Sequence, residues 1–273
     1  MNDKLIKANE IKVAEAFSKQ SSVFDAIYSP NIIIQYKRQR VREHVGKFLK
    51  KQSNILELNS GTGDDAIYFA KQGNKVHATD ISEGMQNILK QKVREALLEE
   101  AISTEICSFN SLETLLDKGP YDFIFSNFAG LNCTDNLNNI LNTLPQLLSE
   151  NGYVTMVIMP PFCLWETFTF LKGNFNTAFR RFRANKGVQA NVEGKTFTCW
   201  YYKSSYIKKI AKEKFDVIAI EGLCTIVPPS YFENFPKKHP LSFQKLVSLE
   251  NKLKAAWPFK YMGDYFIITL RKK

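Results

Sequence analysis

Long apolar runs are absent from this sequence. No segment approaches the roughly 18 consecutive apolar residues that would suggest a membrane span. The opening MNDKLIKANEIKVAEAF mixes charges with its apolar residues and therefore lacks the apolar core of a secretion signal. A hydrophobic fraction of 44% and a charged fraction of 23% are ordinary for a globular chain. We therefore expect a soluble, cytoplasmic protein without a membrane partner.

Cysteine is scarce and widely spaced. The five cysteines, Cys107, Cys133, Cys163, Cys199 and Cys224, form no CxxC pair, whereas zinc sites and disulfide frameworks need closer or more regular spacing. Each cysteine stands among apolar or small residues, which is typical of buried free thiols. The sequence therefore indicates neither a metal site nor a disulfide framework.

Acidic residues are in the minority, because 37 lysines and arginines face 27 aspartates and glutamates, for a formal net charge of +10. The basic residues are spread along the chain, in KRQRVR, RRFR and RKK among other places, and scattered charge is typical of solvated helix faces. Such a charge also raises the local concentration of anionic ligands. An RNA-modifying enzyme would usually show a clustered basic face with aromatics, so RNA stays an alternative partner.

The order of the predicted elements indicates the fold class. Two amphipathic helices, separated at Ser29-Pro30, are expected within residues 1–50. Strands and helices alternate through residues 51–160, and the last of these helices is expected to end at Asn151-Gly152. The predicted strands read NILELN, KVHATD, TEICSF, YDFIFSN and YVTMVIMP. This alternation predicts an α/β fold with a mostly parallel sheet, helices on both faces, and a ligand crevice at the carboxyl ends of the strands.

The second half of the chain interrupts and then resumes this pattern. Residues 161–202 are rich in aromatic residues and arginine and are predicted to form an inserted substrate cap. Residues 203–273 contain the strand-like segments DVIAIEGLCTIV and GDYFIITLRK, separated by a helical insertion at 228–258. We therefore predict a Rossmann-like seven-stranded sheet, with residues 1–50 as an N-terminal helical lid.

The most informative motif, ILELNSGTG, joins the first predicted strand to its helix. Gly61 and Gly63 let the backbone adopt positive φ and let a ligand approach without a Cβ in the way. Glu57 lies near the end of the strand, where it can accept a hydrogen bond from a cationic amino group. Asp80 ends the second strand, where a carboxylate can take both hydroxyls of a ribose. The pattern predicts a nucleoside site.

Two cofactors fit this geometry. The stretch GTGDDA, from Gly61 to Ala66, also matches the dinucleotide pattern GxGxxG/A, which leaves a nicotinamide-binding oxidoreductase as an alternative. Against it, Asp64 and Asp65 would place two negative charges where a pyrophosphate binds, whereas Glu57 suits the methionine ammonium of S-adenosylmethionine. A glycine turn that only packs a helix on a strand is the remaining alternative.

These segments resemble class I S-adenosylmethionine-dependent methyltransferases, with a likeness to the ubiquinone/menaquinone-type small-molecule enzymes over about residues 17–160. ILELNSGTGDDAIYFA is similar to the family's first motif, VHATDISEGM to its second, and YDFIFSNFAGLNC to its fourth strand and loop. The resemblance implies methyl transfer by SN2 displacement to a small-molecule acceptor, S-adenosylhomocysteine as product, and N-terminal helices that close over the cofactor. The cofactor-binding residues that it implies are Glu57, Asn59, Ser60, Gly61, Thr62, Gly63, Asp80, Ile81, Met85, Asn110, Ser111, Asn127 and Phe128.

Two positions depart from the family pattern. Asn59 replaces the first glycine of the turn, and asparagine tolerates left-handed backbone better than other non-glycine residues. The third strand usually leads to an acid that contacts the adenine amino group, but this chain reads CSFNS there. Asn110 or Ser111 would have to substitute for that acid. The missing acid also leaves open a protein that binds the cofactor without transferring methyl groups.

Aromatic and basic residues describe the acceptor side. Methyl transfer from a sulfonium needs alignment and exclusion of water more than a base. No base stands out apart from Glu166, which fits a helix-surface glutamate as well. Tyr36, Trp165, Arg180 and Tyr202 are candidates for substrate contact and indicate a partly apolar or anionic small molecule. The residues of the predicted cap fit a small hydrophobic core with a basic exterior equally well.

Overall fold

The computed structural model describes residues 3–168, Arg181 and residues 187–273. Its strands are β1 (Asn54–Leu58), β2 (Lys75–Asp80), β3 (Ile102–Ile106), β4 (Tyr121–Ser126), β5 (Leu148–Ile158), β6 (Val188–Val192), β7 (Lys195–Cys199), β8 (Phe215–Leu223) and β9 (Tyr265–Lys272). Seven of them form one sheet in the order β3-β2-β1-β4-β5-β9-β8, and β6 pairs with β7 in a separate hairpin. Strands β1 to β5 are parallel, whereas β9 is antiparallel to both of its neighbours. The predicted α/β fold with a mostly parallel seven-stranded sheet is confirmed.

Helices cover both faces of this sheet. They are α1 (Asp3–Tyr28), α2 (Ile32–Gly46), α3 (Asp64–Lys71), α4 (Glu83–Glu95), α5 (Leu137–Leu147), α6 (Leu164–Phe168), α7 (Ser204–Ala211), α8 (Phe235–Lys238) and α9 (Pro240–Leu253) in the described part of the chain. Successive strand side chains point to opposite faces, so Phe123 and Phe125 of β4 pack with α2, α3 and α4, whereas Ile124 packs with α5 and α7. None of the helices within the described residues is long and apolar enough to cross a membrane.

The strand order places a crevice beside β1. Strand β2 lies on one side of β1 and β4 on the other, so the chain leaves the sheet centre in opposite directions from this point. Crossovers that diverge in this way leave an opening at the carboxyl ends of the two strands. The glycine turn after β1 and Asp80 at the end of β2 both face this opening.

Helix α1 packs across α4 and the β6–β7 hairpin. Its Val13 and Ala16 share an apolar cluster with Phe197 of β7. The hydroxyl of Ser18 lies 2.9 Å from that of Ser82 at the start of α4. The predicted break at Ser29-Pro30 separates α1 from α2, and Asn31 caps α2 by accepting hydrogen bonds from two backbone N–H groups of its first turn.

The predicted end of α5 was wrong. The helix ends at Leu147, and β5 begins at the next residue because Leu148 pairs with Tyr121 of β4. The register then jumps to Phe123 opposite Tyr153, and Asn151 adopts a φ of +59° within this irregularity. Asn151 therefore belongs to a strand irregularity, in which β5 has three more residues than β4 between the paired positions, instead of a helix cap.

The segment 228–258 contains α8 and α9. Glu250 of α9 is fully buried and accepts hydrogen bonds from the backbone N–H groups of Cys224, Ile226 and Val227 at 2.7, 3.0 and 2.8 Å. The carboxylate thereby satisfies the backbone donors of the loop that follows β8. This contact fixes α9 against the end of the sheet.

Candidate active site

A cavity of about 230 Å³ lies at the carboxyl ends of the parallel strands. Side chains from α1 form one wall, the β6–β7 hairpin contributes a second, and the strand ends and the loops after them form the rest. Ten of the thirteen predicted cofactor-binding residues line it: Glu57, Asn59, Ser60, Gly61, Thr62, Asp80, Ile81, Met85, Asn127 and Phe128. The tertiary structure thus brings segments from three strand ends into one enclosed space.

Asn59 preserves the shape of the turn, although it stands where the family pattern has a glycine. Its φ is +50°, the left-handed conformation that the replaced glycine would adopt. Its side-chain amide donates to the carbonyl oxygen of Asn127 at 2.9 Å and accepts from the hydroxyl of Ser126 at 2.6 Å. A Cβ on Gly130 would collide with this amide. Asn59 therefore keeps the turn and also ties it to the loop after β4.

Glu57 presents a buried carboxylate with one oxygen that has no hydrogen-bond partner. Its side chain is 2% exposed, and its Oε2 atom has no partner. Burial and the charge of Asp65 raise the pKa of Glu57 well above its usual value, against the opposing effect of Arg38 and Arg42. A buried unpaired carboxylate is costly, and a cationic ligand group in the cavity would compensate it. The atom therefore fits an ammonium group.

Asp80 holds the turn and faces the cavity at the same time. Its two carboxylate oxygens accept hydrogen bonds from the backbone N–H groups of Gly61 at 2.9 Å and Ser82 at 2.8 Å. Burial raises the pKa of Asp80, while these backbone donors act in the opposite direction. Each carboxylate oxygen has a further lone pair, so the group can accept hydroxyl hydrogens from a ligand while it fixes the turn.

The two acidic residues at the start of α3 are neutralised. Asp65 accepts hydrogen bonds from Arg38 at 2.9 Å and Arg42 at 2.7 Å, and Asp64 from Lys92 at 2.6 Å. Burial raises the pKa of Asp64, but Arg38 and Lys92 outweigh it and leave the pKa below its usual value. The two negative charges that were expected to oppose a pyrophosphate are thus paired with cations, so the case against a dinucleotide depends mainly on Glu57.

The loop after β4 has an unusual backbone. Phe128 and Ala129 have φ values of +45° and +63°, which non-glycine residues adopt mostly where the surroundings hold them. The Phe128 ring carries the Arg38 guanidinium 4.9 Å from its centroid and meets the Tyr265 ring edge-on at 6.4 Å. These contacts hold the ring against the cavity wall.

Three predicted cofactor residues do not line the cavity. Gly63 faces α4, where a Cβ would collide with the Leu89 side chain. Asn110 donates to the Glu10 carboxylate at 2.8 Å and accepts from the Thr134 hydroxyl at 3.2 Å, so its amide is occupied outside the cavity. Ser111 is outside the lining as well, because the loop turns away after Phe109, which is part of it.

The predicted substrate residues lie elsewhere. Tyr36 packs edge-on against Phe243 of α9, with ring centroids 6.1 Å apart, and Trp165 packs against Phe232 at 5.5 Å. Tyr202 is buried and donates its hydroxyl hydrogen to the carbonyl oxygen of Thr134. None of these three side chains lines the cavity, because each one packs or forms a hydrogen bond with residues outside it. Arg180 lies outside the described residues.

Glu166 belongs to a buried ion cluster. Its carboxylate lies 2.6 Å from the Arg181 guanidinium, which also lies 2.7 Å from Asp264, and Asp264 in turn lies 3.4 Å from the Lys37 ammonium. Ligand atoms of Cys163, Glu166 and Asp264 lie within 4.8 Å of one another, but Arg181 supplies the positive charge at this place. Glu166 thus forms an ion pair outside the cavity, so its assignment as a candidate general base was wrong.

Sequence reasoning missed several lining residues. Arg38 stands on a helix face that reads as solvated, and Met159 and Tyr265 gave no signal beyond their positions at strand ends. The β6 strand and the hairpin that it forms were not predicted, so Phe197 was not recognised as part of a wall. The one signal for Tyr265 is its place as the first residue of β9. Because β9 runs antiparallel to β5, this residue lies at the carboxyl end of β5.

The comparisons with known proteins agree with this arrangement. Residues 55–152 match a family model described as a methyltransferase domain. No curated protein matches the sequence. Among solved structures, the [4+2]-cyclase SpnF is 15% identical with a TM-score of 0.62, over 95% of this chain and 94% of that one.

Two further solved structures are methyltransferases. The 1,6-didemethyltoxoflavin-N1-methyltransferase of Burkholderia thailandensis is 13% identical with a TM-score of 0.58, over 98% of this chain and 90% of that one. The geranyl diphosphate C-methyltransferase of Streptomyces coelicolor A3(2) is 13% identical with a TM-score of 0.55, over 86% and 79%. At such identities the likeness concerns the fold. Together with the family model, which covers residues 55–152, the sheet order and the cavity at the switch point, this likeness agrees with the fold of class I methyltransferases.

Proposed function

We propose that this protein transfers a methyl group from S-adenosylmethionine to a small-molecule acceptor. The observation that carries the proposal is the buried Glu57 carboxylate, whose Oε2 atom lacks a partner beside the glycine turn. Burying a carboxylate without a partner costs free energy, and a cationic ligand that pairs with it would offset that cost. S-adenosylmethionine carries an ammonium group and a sulfonium, whereas the phosphates of a dinucleotide carry negative charge.

The cavity offers a partner for each part of this cofactor. Glu57 would accept from the ammonium, and Asp80 from the ribose hydroxyls, since both carboxylates line the same space. Ile81, Met85 and Phe109 supply apolar surface beside Asp80 for the adenine. The backbone of Ser60, Gly61 and Thr62 and the loop residues Asn59, Asn127 and Phe128 would hold the amino-acid end of the cofactor.

The remaining lining fits a partly apolar acceptor. When bound, S-adenosylmethionine supplies an activated methyl group, which an acceptor atom takes by in-line displacement as the thioether leaves. The protein's part is to align the two reactants and to exclude water. Phe24, Phe128, Met159 and Tyr265 line the cavity with apolar surface, and Arg38, the lining cation, is engaged by Asp64 and Asp65. We assign no residue as a general base.

Helix α1 would act as the lid. Four of its polar side chains reach four different parts of the cavity rim: Asn9 the carbonyl oxygen of Cys133 at 2.8 Å, Glu10 the amide of Asn110 at 2.8 Å, Ser18 the hydroxyl of Ser82 at 2.9 Å, and Asp25 the hydroxyl of Thr62 at 2.6 Å. Each of these hydrogen bonds contributes about 1 kcal/mol net. Together they would hold the helix over the cavity and would still allow it to open for cofactor exchange. Cofactor exchange would require this helix to move, and the β6–β7 hairpin, which lines the cavity with Phe197 and Cys199, would cover the acceptor.

Cofactor binding is tested first. We expect S-adenosylhomocysteine to raise the unfolding midpoint (Tm) and NAD to leave it unchanged, because a ligand stabilises a protein only if it binds the folded state. Calorimetric titration then gives the Kd. A Tm shift with NAD and none with S-adenosylhomocysteine would reverse the proposal in favour of an oxidoreductase.

Methyl transfer is tested with cofactor that carries a labelled methyl group. We expect label to enter a small-molecule extract and not bulk RNA. Label in RNA, with binding that weakens steeply as salt rises, would instead favour the RNA methyltransferase. Tight binding of S-adenosylhomocysteine without transfer to either pool would mean that the domain binds the cofactor without using it for methylation.

A further inference from the structure

Two cysteines from distant segments meet in the wall of the cavity. Cys133 ends the short 3-10 helix Gly130–Cys133 that follows β4, and Cys199 is the last residue of β7. Both side chains line the cavity, and both pack in the apolar cluster that contains Val13 and Phe197. Both thiols are free, and the proposed methyl transfer uses neither.

The backbone around the two cysteines is held together by hydrogen bonds. The N–H of Trp200 donates to the carbonyl oxygen of Asn132 at 2.7 Å. The side-chain amide of Asn9 donates to the carbonyl oxygens of Cys133 at 2.8 Å and Thr198 at 3.1 Å. The two segments that carry the cysteines are therefore fixed to one another.

The thiols also interact directly. A hydrogen bond with Cys199, together with burial, raises the pKa of Cys133 well above its usual value. Cys133 therefore keeps its proton and can donate it towards the Cys199 sulfur. Because a raised pKa disfavours the thiolate of Cys133, Cys199 is the sulfur that we assign as the first nucleophile.

We propose that Cys133 and Cys199 form an oxidisable dithiol site in the cavity wall, which a hydroperoxide converts to an intramolecular disulfide. The Cys199 sulfur attacks the terminal peroxide oxygen, so that the O–O bond breaks, an alcohol or water leaves and a sulfenic acid forms. The Cys133 sulfur then attacks the sulfenic sulfur and water leaves. In sum, two thiols and one hydroperoxide give one disulfide, one alcohol and one water, or two waters when the oxidant is hydrogen peroxide.

The bond would join the loop after β4 to the β6–β7 hairpin. It would close the chain between residues 133 and 199, which includes much of the predicted cap, and would restrict the unfolded chain. We therefore expect a higher Tm for the oxidised protein. Because both sulfurs line the cavity, a bound ligand should shield them, and this second expectation rests on the proposed function.

The test uses the full chain and hydrogen peroxide. After treatment and alkylation, mass spectrometry should find two of the five thiols lost, and peptide mapping should link Cys133 to Cys199, reversibly with dithiothreitol. C133S and C199S should form no intramolecular disulfide and gain no Tm, whereas the control C163S should behave as wild type. Five free thiols after treatment, or a linkage between other cysteines, would overturn the site. The wild-type peptide map decides even if a serine variant fails to fold.

Protection by S-adenosylhomocysteine separates this proposal from the proposed function. At about ten times its Kd, about one molecule in eleven stays free of ligand, so oxidation should slow about tenfold. Binding by calorimetry without any slowing would show that the sulfurs do not face the cofactor space and would overturn the placement of the site. A disulfide that forms in a protein unable to bind S-adenosylhomocysteine would keep the dithiol site and remove the proposed function.

Discussion

Replacing Glu57 by glutamine should weaken cofactor binding and stabilise the empty protein. The carboxylate is buried and has an unpartnered oxygen, so in the complex it would accept one charge-assisted hydrogen bond from the cofactor ammonium. Charged hydrogen bonds contribute about 1.5–3 kcal/mol, which corresponds to an increase of about 10- to 150-fold in the Kd of S-adenosylhomocysteine. Isothermal titration calorimetry measures this change directly.

Stability should change in the opposite direction. Burial raises the pKa of Glu57 in the folded protein above its usual value of 4.5. As pH rises past that usual value, the unfolded chain ionises first and is favoured, so the native carboxyl group lowers stability at neutral pH. Glutamine removes this effect, and a gain of about 1 kcal/mol would raise Tm by about 2–4 °C. The gain should vanish below pH 4.5, where both states are protonated.

The pH dependence of binding provides a further readout. An ammonium ligand prefers the ionised carboxylate, so the affinity of the wild type should rise as pH rises through the elevated pKa of Glu57 and then level off. The variant should lack this dependence. Glu43→Gln on the exposed face of α2, where the carboxylate accepts a hydrogen bond from Gln39, is the matched control. An unchanged Kd, or a lower Tm at neutral pH, would refute the assignment of Glu57 as the ammonium acceptor.

Three other substitutions test the remaining parts of the molecule. Asp80→Ala should raise the free energy of cofactor binding by about 1.5–3 kcal/mol, because it removes a ribose acceptor and the acceptor that holds the turn; unchanged affinity in calorimetry would exclude that role. Gly61→Val should abolish binding with an intact circular dichroism spectrum, since φ is +56° there and a branched side chain disfavours it; retained binding would remove the turn from the site. Glu221→Gln should cost about 3 kcal/mol of unfolding free energy, because Arg40, His44 and Lys47 lie within 3.0 Å of this buried carboxylate. Although burial opposes them, His44 and Lys47 lower the pKa of Glu221 far below its usual value. The stability of the wild type should therefore fall as the pH drops below 4.5. If urea titrations gave the variant the same dependence of stability on acid pH, this interpretation would be contradicted.

The sheet and its switch point were predictable from the sequence because their signals are local. The strand NILEL becomes β1, KVHATD becomes β2, and Ser82 caps α4 as its position before an amphipathic run indicates. Alternating or continuous apolar residues determine which faces are buried within five or six residues of chain. Where two local signals competed, as at Asn151, the pairing of Leu148 with β4 decided, and the sequence prediction of a helix cap was wrong.

The positions of the aromatic and charged side chains were decided by tertiary contacts. Tyr36 and Arg38 lie two residues apart on α2, yet Tyr36 packs on Phe243 whereas Arg38 lines the cavity. The composition of this helix does not say which face meets α9 and which meets the Phe128 loop. Likewise, the pairing of Asn110 with Glu10 depends on where α1 packs across α4 and the β6–β7 hairpin.

The sequence by itself thus determined the layered fold, the turn after β1 and the two carboxylates, Glu57 and Asp80, that flank it. These features follow from hydrophobic periodicity and from residues that the crossover rules bring to one edge of a sheet. Only the tertiary structure placed Tyr265, Phe197 and the Cys133–Cys199 pair around the same space. Their proximity comes from chain segments that are far apart in sequence and meet through packing, which no local pattern of residues encodes.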